Sequence, residues 1–262
     1  MYTTINDKKT FFSNGNGSIL PNQASVIFLH GAAMDHTVWT LPVRYFARHN
    51  YNVYAFDLPG HGRSEGAALT TIESISEWVE SAMDSLDIPR AAIVGHSMGS
   101  LVGICFAAAH PERVKCLALL GTSTPMPVTE QLLVAAHANE HDAIDMTNIW
   151  SHSDFGLIGG NSDPGRCMTI SGQRLLERSD DNVLFNDLNA CNAFEDAESY
   201  LSQVTQPTLI ISGKQDKMTS ALKAQDAAGK IKDAKLVELD RCGHFMMTEQ
   251  PNAVLDALAA NI

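Results

Sequence analysis

Ala91-Ala92-Ile93-Val94-Gly95-His96-Ser97-Met98-Gly99-Ser100 is the stretch around which the chain is organised. Residues 91–94 are small or β-branched and apolar, the composition of a short strand buried on both faces. From 100 to 110 the residues are again small and apolar, over a length that fits a helix better than a strand. Between the two runs, Gly95-His96-Ser97-Met98-Gly99 has the G-x-S-x-G spacing, which between a strand and a helix makes a sharp elbow. Such a turn holds its central residue, Ser97, in a strained backbone conformation. Glycine two residues before and two after lets the neighbouring backbone approach without a clash. The Ser97 hydroxyl is lifted clear of the sheet. The Met98 amide falls at the start of a helix, where unpaired N–H groups favour negative charge. Three fixed residues in five recur by chance in many chains, so the flanking strand and helix give the pattern its weight.

Further strands are expected on either side. Val26-Ile27-Phe28-Leu29, Val53-Tyr54-Ala55-Phe56, Val114–Leu120, Thr208-Leu209-Ile210-Ile211 and 235–239 all read as strands. Two short edge strands, 2–5 and 10–12, precede them, the second followed by the turn signal Asn14-Gly15-Asn16-Gly17. Helices are expected over 39–49, with Pro42 near the first turn, over 219–231, and from Pro251 onward. A further helix is expected over 71–86, where apolar residues fall at 72, 75, 78, 79, 82, 83 and 86 before Asp87-Ile88-Pro89 stops it. Alternating strands and helices predict an α/β fold, a mostly parallel central sheet flanked by helices on both faces. The rhythm breaks over 123–200, which opens with Pro125 and Pro127 and contains Gly156, Gly159, Gly160, Pro164 and Gly165. Helical patches are visible there only at 129–140 and 172–178. The expected organisation is a core of 1–122 and 201–262 interrupted by a mainly helical insertion, 123–200. Ligands of open α/β sheets bind beyond the carboxyl ends of the strands, so an insertion leaving that edge would cover it as a cap.

The chain has 262 residues, 45% of them hydrophobic, enough to build a full core. Lysine and arginine total 18 against 30 acidic residues, a net charge of −12 that disfavours nucleic acid and anionic membrane as partners. Cysteines at 105, 116, 167, 191 and 242 form no C-x-x-C pair, which points to reduced thiols in the cytoplasm. No apolar run approaches membrane-spanning length, and no secretory leader pattern opens the sequence.

A serine hydroxyl is a poor nucleophile near neutral pH until a base takes its proton. Of the ten histidines, His244 alone follows a late strand in a loop, Arg241-Cys242-Gly243-His244-Phe245, that shares the sheet edge with Ser97. His96 is adjacent to Ser97, but neighbours around a tight elbow point apart. His30, His61 and His110 read as structural. The carboxylate that orients the base is expected at a strand end. Asp216, in Ser212-Gly213-Lys214-Gln215-Asp216, fits, with Asp240 as the alternative; Gly121-Thr122-Ser123-Thr124 offers no acid. An aspartate in such a loop is ordinarily a solvated surface residue, and position is what makes Asp216 a candidate.

Taken with Leu29-His30-Gly31-Ala32, Asp57-Leu58-Pro59-Gly60-His61-Gly62-Arg63-Ser64, Gly213-Lys214-Gln215-Asp216 and Cys242-Gly243-His244, the elbow gives five motifs in order. The chain resembles the α/β-hydrolase superfamily along nearly its whole core. The resemblance implies Ser97, Asp216 and His244 as catalytic residues, in the chain order of that fold. It also implies an oxyanion hole made by the backbone N–H groups of Ala32 and Met98. Members with an aspartate nucleophile, the dehalogenases and epoxide hydrolases, are excluded by Ser97. The expected chemistry is carboxylic ester hydrolysis through an acyl-enzyme, on a small-molecule ester, with no cofactor. The alternatives are a carbon–carbon bond hydrolase of the same fold, with Arg166, Arg174 or Arg178 holding an acidic substrate, and a small-molecule receptor that retains the same residues. Apolar cap residues, Met126 and Met168 among them, ordinarily form the cap's own core. Trp150, Phe155 and Leu157, with Phe245 beside His244, are the candidates for a substrate pocket. His137-Ala138-Asn139-Glu140-His141 spells H-x-x-E-H, a zinc-peptidase pattern with both histidines on one helix face. Nothing orders a third ligand, so a solvated helix end and no metal are expected.

Overall fold

The computed structural model describes residues 1–161 and 165–262; Pro164, one of the breakers noted above, lies outside them. Eight strands form one sheet: β1 (Tyr2–Ile5), β2 (Lys8–Ser13), β3 (Ala24–Leu29), β4 (Tyr51–Phe56), β5 (Ala91–His96), β6 (Val114–Leu120), β7 (Thr208–Gly213) and β8 (Ala234–Leu239). Their spatial order is β1-β2-β4-β3-β5-β6-β7-β8. The pairs β1/β2 and β2/β4 are antiparallel, and all the others are parallel. Strand ends extend beyond the apolar runs because pairing continues past them. Ser25 is paired with Asn52 and Ala91, and His96 with Leu120.

The apolar runs are continuous because both faces of the sheet are covered. Successive residues of a strand point to opposite faces. Ile27, Tyr54, Ile93, Leu117 and Ile210 join the core on one face. Their neighbours Phe28, Val53, Val94, Ala118 and Leu209 join the core on the other. The second face is closed by α1 (Thr40–Arg48) through Val43 and Phe46. The first is closed by α2 (Ile72–Ser85), whose N-terminus is capped reciprocally by Thr71 and Ser74, and by α3 (Met98–Ala109). Every α3 residue from Met98 to Ala107 is buried, so the helix is apolar all round, as a helix enclosed within a core must be.

The described residues between β6 and β7 carry helices and loops only: α4 (Glu130–His137), α5 (His141–Ser151), α6 (Asp154–Leu157), α7 (Met168–Leu176), α8 (Val183–Ala193) and α9 (Ala197–Ser202). The sequence reading missed α5, α6, α8 and α9. Their buried positions include polar residues, Thr147, Asn148 and Ser151 on α5 and Asp187 on α8, which interrupt the apolar period. Ala190 and Cys191 on α8 and Ala197 and Leu201 on α9 belong to the sheet's own core. Leu132, Ala135, Ala143, Leu176 and Leu184 form a separate cluster with Ala33, Met34 and Phe245. The chain ends with α10 (Ala221–Lys230), α11 (Met246–Glu249) and α12 (Pro251–Ala259).

The helix face expected to carry both His137 and His141 does not form. α4 ends at His137, Asn139 turns the chain at φ 54°, and α5 begins afresh at His141. His137 packs edge-on against Phe185, while His141 lies between Asp145 at 3.2 Å and Glu177 at 3.0 Å.

Candidate active site

Ser97 sits at φ 52°, ψ −118°, outside the regions open to an ordinary side chain. Holding it there costs on the order of 1–3 kcal/mol. The neighbourhood over-determines the turn. The Ser97 N–H donates to the Leu120 carbonyl at 2.9 Å, and the Ser97 carbonyl accepts from Ser100 N at 2.8 Å and Ser100 Oγ at 2.6 Å. Ser100 Oγ also lies 3.0 Å from Thr122 Oγ1. A Cβ on Gly95 would overlap the Gly99 carbonyl, and one on Gly99 would overlap the Leu29 carbonyl. Glycine to alanine inside a helix normally stabilises by up to about 1 kcal/mol. Here backbone overlap outweighs that gain, and Gly99→Ala is expected to lose about 2 kcal/mol net. A urea midpoint that falls with an unchanged slope would bear this out, and an unchanged midpoint would count against it.

The loops that follow β7 and β8 bring Asp216 and His244 together, and both are buried. His244 Nδ1 lies 2.7 Å from Asp216 Oδ2. The same oxygen accepts from Thr219 Oγ1 at 2.7 Å, and Oδ1 accepts from Met218 N at 2.8 Å and Thr219 N at 2.7 Å. Four donors converge on one carboxylate, so each of its oxygens is satisfied as an anion. Thr219 escaped the sequence reading; its signal is the D-x-x-T spacing, which lets a hydroxyl and an amide three residues on turn back to the carboxylate. Asp240, the alternative acid, has a side chain 79% exposed and paired with Lys214 at 2.7 Å.

His96 Nε2 donates to the His244 carbonyl at 2.9 Å, tying the elbow to the His244 loop. Burial, and then the nearby His244, hold His96 well below the usual imidazole range, so it is a neutral donor. Glu249 fastens the same loop from the other side: it accepts from Gly243 N at 2.8 Å and from Ser153 N and Oγ. Ala32, after β3, lines a cavity of about 80 Å³ together with Ser97 and Thr219. Among the described residues, neither the Ala32 N–H nor the Met98 N–H has an acceptor.

The side chains read as pocket candidates separate. Trp150 lines the Ser97 cavity, with Met126, Leu132, Leu188, Met218 and Lys217. Phe155 lines a different cavity near α12, under the Arg241 guanidinium at 4.2 Å. Phe245 is buried against His152 and lines a cleft with Arg166, Arg174 and Arg178. Leu157 closes the short helix α6 and lines none of these three cavities among the described residues. The apolar spacing of the insertion carries no information on which of its faces meets Ser97.

Asp35, His36 and Asp57 come within 4.8 Å of one another. Both oxygens of each carboxylate already accept hydrogen bonds: Asp35 from Thr37 and Arg178, Asp57 from His36 and Arg63 N. The trio is a cross-link between loops. Among the described residues, no helix is long and apolar enough to cross a membrane.

A serine held on an elbow at the carboxyl edge of a mostly parallel sheet, above a helix N-terminus, is the layout of an α/β hydrolytic enzyme. The sequence pattern of the Alpha/beta hydrolase family matches residues 26–257, and the chain belongs to that family. It is 28% identical to a 2-hydroxy-6-oxononadienedioate/2-hydroxy-6-oxononatrienedioate hydrolase of Cupriavidus pinatubonensis, over 96% of this chain and 91% of the relative. It is 30% identical to a pimeloyl-[acyl-carrier protein] methyl ester esterase of Nitrosospira multiformis, over 90% of this chain and 92% of the relative. The crystal structure of the enol-lactonase from Burkholderia xenovorans LB400 superposes with a TM-score of 0.86, covering 99% of this chain and 98% of that one. At 23% identity that likeness is one of fold.

Proposed function

We propose that this chain is a serine hydrolase that cleaves carboxylic esters of small molecules without a cofactor. The observation that carries the reading is the buried 2.7 Å contact between His244 Nδ1 and Asp216, at the sheet edge where the elbow presents Ser97. With Nδ1–H committed to Asp216, Nε2 is the basic nitrogen. His244 takes the Ser97 proton as Oγ attacks the ester carbonyl. The Ala32 and Met98 amides hold the oxyanion, a contribution of about 2.7–4 kcal/mol for each such donor. His244 returns the proton to the leaving alcohol, then activates a water that releases the acid from Ser97. Residues 123–200 act as a cap: α4, α5 and α8 bring Leu132, Trp150 and Leu188 to the cavity. Five unpaired cysteines support a reducing compartment, the cytoplasm.

Carbon–carbon hydrolysis is the second reading, favoured by the dienedioate-hydrolase relative and by Lys217, which lines the Ser97 cavity although its Nζ lies 3.3 Å from Asp154. Two observations weigh against it. The cavity wall is otherwise mostly apolar, and the three cap arginines line a separate cleft. For a short-chain p-nitrophenyl ester, kcat/KM is expected to exceed that for a vinylogous 1,5-diketone acid at least ~100-fold, a gap of roughly 2.7 kcal/mol. The small cavity also predicts that acetyl and butyryl esters outpace decanoyl esters. Comparable or reversed values for ester and diketone, with a large loss on Lys217→Ala, would move the protein to the second reading. Tight ligand retention with almost no turnover would make it a receptor.

A further inference from the structure

The loop that carries Ala32 is held by a residue of the insertion. Ala33 lies at φ 53°, a left-handed conformation that a residue with a Cβ takes up only under constraint. Its N–H donates to Asp187 Oδ2 at 2.8 Å. Asp187 stands on α8, 154 residues along the chain, and is 1% exposed. The same oxygen accepts from His61 Nε2 at 2.8 Å, and His61 Nδ1 lies 3.0 Å from the Pro59 carbonyl. A carboxylate and a carbonyl both accept, so each ring nitrogen of His61 must carry a proton, and the ring is an imidazolium.

We propose that Asp187 and the His61 imidazolium are a positioning pair for the loop bearing Ala32, so that helix α8 sets the oxyanion-binding amide and the setting is lost as pH rises. The inference rests on the esterase reading, in which Ala32 supplies one of the two oxyanion donors. Asp187 touches no reacting atom. It fixes the strained residue next to Ala32, and an amide displaced by an ångström or less loses much of its hold on a developing charge.

The surroundings of His61 are consistent with its charge. Burial pulls its pKa down, but the Asp187 carboxylate and the bonds to Asp187 and Pro59 outweigh burial, and the net shift is upward. His30, with its ring 4.8 Å away, is driven the other way, to about 4, by burial and then by the charge on His61. His30 fits a neutral ring, with Nδ1 donating to the Gly31 carbonyl and Nε2 accepting from Leu58 N. Asp57 adds a weaker upward pull on His61, and Cys191 on α8 is buried and kept as a thiol. Arg63, His36, Asp35 and Arg178 line the cleft beside it, with Asp35 paired to Arg178 and His36 to Asp57. Because the folded pKa of His61 is raised, the contribution of the pair is complete below the unfolded value of about 6.5 and is lost as pH rises through the raised value. Once the proton leaves, either Pro59 or Asp187 faces a bare nitrogen.

The test measures kcat and KM against pH for a short p-nitrophenyl ester in the wild type, Asp187→Asn and His61→Gln, with circular dichroism and melting curves to confirm folding. Asp187→Asn is expected to lower kcat by about 10- to 100-fold with little change in KM. It is also expected to move the alkaline limb of the kcat profile down by about one pH unit or more. His61→Gln should remove that limb, and it decides the matter if Asp187→Asn does not fold. A folded variant with wild-type kcat, a rise in KM alone, or an alkaline limb that both variants leave in place would overturn the proposal. A wild type that turns over no ester, with Ser97 unlabelled by a phosphonate, sinks the esterase reading instead. The His61 ring resonances then judge the pair. A wild-type proton kept above neutral pH and lost earlier in Asp187→Asn supports it, and titration near 6.5 refutes it.

Discussion

Ser97→Ala is expected to lower kcat for ester hydrolysis by roughly 10⁶-fold, the loss seen when the nucleophile of a serine hydrolase is removed. The alanine side chain offers no oxygen to acylate. The elbow itself should survive. Its backbone is held by the Ser97 N–H bond to Leu120 and by Ser100 N and Oγ on the Ser97 carbonyl, and none of these uses the Ser97 hydroxyl. The variant should therefore fold with little change in melting temperature while losing turnover. In the wild type, a phosphonate ester should add its mass to the peptide containing Ser97 and to no other. Full activity in the alanine variant, or labelling elsewhere, would remove Ser97 from the chemistry.

Asp216→Asn should cut kcat by about 10⁴-fold, as the comparable change does in a serine protease, because an amide stabilises the wrong imidazole tautomer. Here the number of donors on the carboxylate adds to the loss. Asp216 accepts from Met218 N, Thr219 N, Thr219 Oγ1 and His244 Nδ1. An asparagine has one oxygen and one NH₂ group. Whichever way it turns, the NH₂ meets a donor: the Thr219 and Met218 amides on one side, or His244 on the other. Stability should fall as well, because a buried group is left unsatisfied at a cost of about 1–3 kcal/mol. Asp240→Asn serves as the control, since that side chain is exposed and paired with Lys214 at the surface. If Asp240→Asn proves the more damaging in steady-state kcat, the orienting acid is Asp240 and not Asp216.

The sequence by itself determined the sheet. Strands buried on both faces are apolar at nearly every position, and that leaves unbroken runs such as 26–29 and 116–120 that no other element produces as often. It determined the elbow too, because a backbone crossing this tight admits only glycine at 95 and 99. It placed Ser97, Asp216 and His244 in loops at strand ends on one edge, since parallel strands joined by helices all end on the same side.

Tertiary structure decided everything that depends on which side chain meets which across distance in the chain. The 2.7 Å contact of His244 with Asp216 joins residues 28 apart, and the bond from Ala33 to Asp187 joins residues 154 apart. No periodicity records such pairings. Asp187 and Asn148 are buried and polar, and in the sequence they look like interruptions of a helix; packed, Asp187 is satisfied by Ala33 and His61, and Asn148 Nδ2 by the Thr169 carbonyl. The same limit separated Trp150 from Phe155 and Phe245, which are equally apolar but face different cavities. It also split His137 from His141, because the residue that ends the helix between them, Asn139, adopts φ 54° without being a glycine. Burial follows from composition and spacing. Partnership follows from the packing of helices onto the sheet, where a hydrogen bond is decided by tenths of an ångström that the order of residues does not encode.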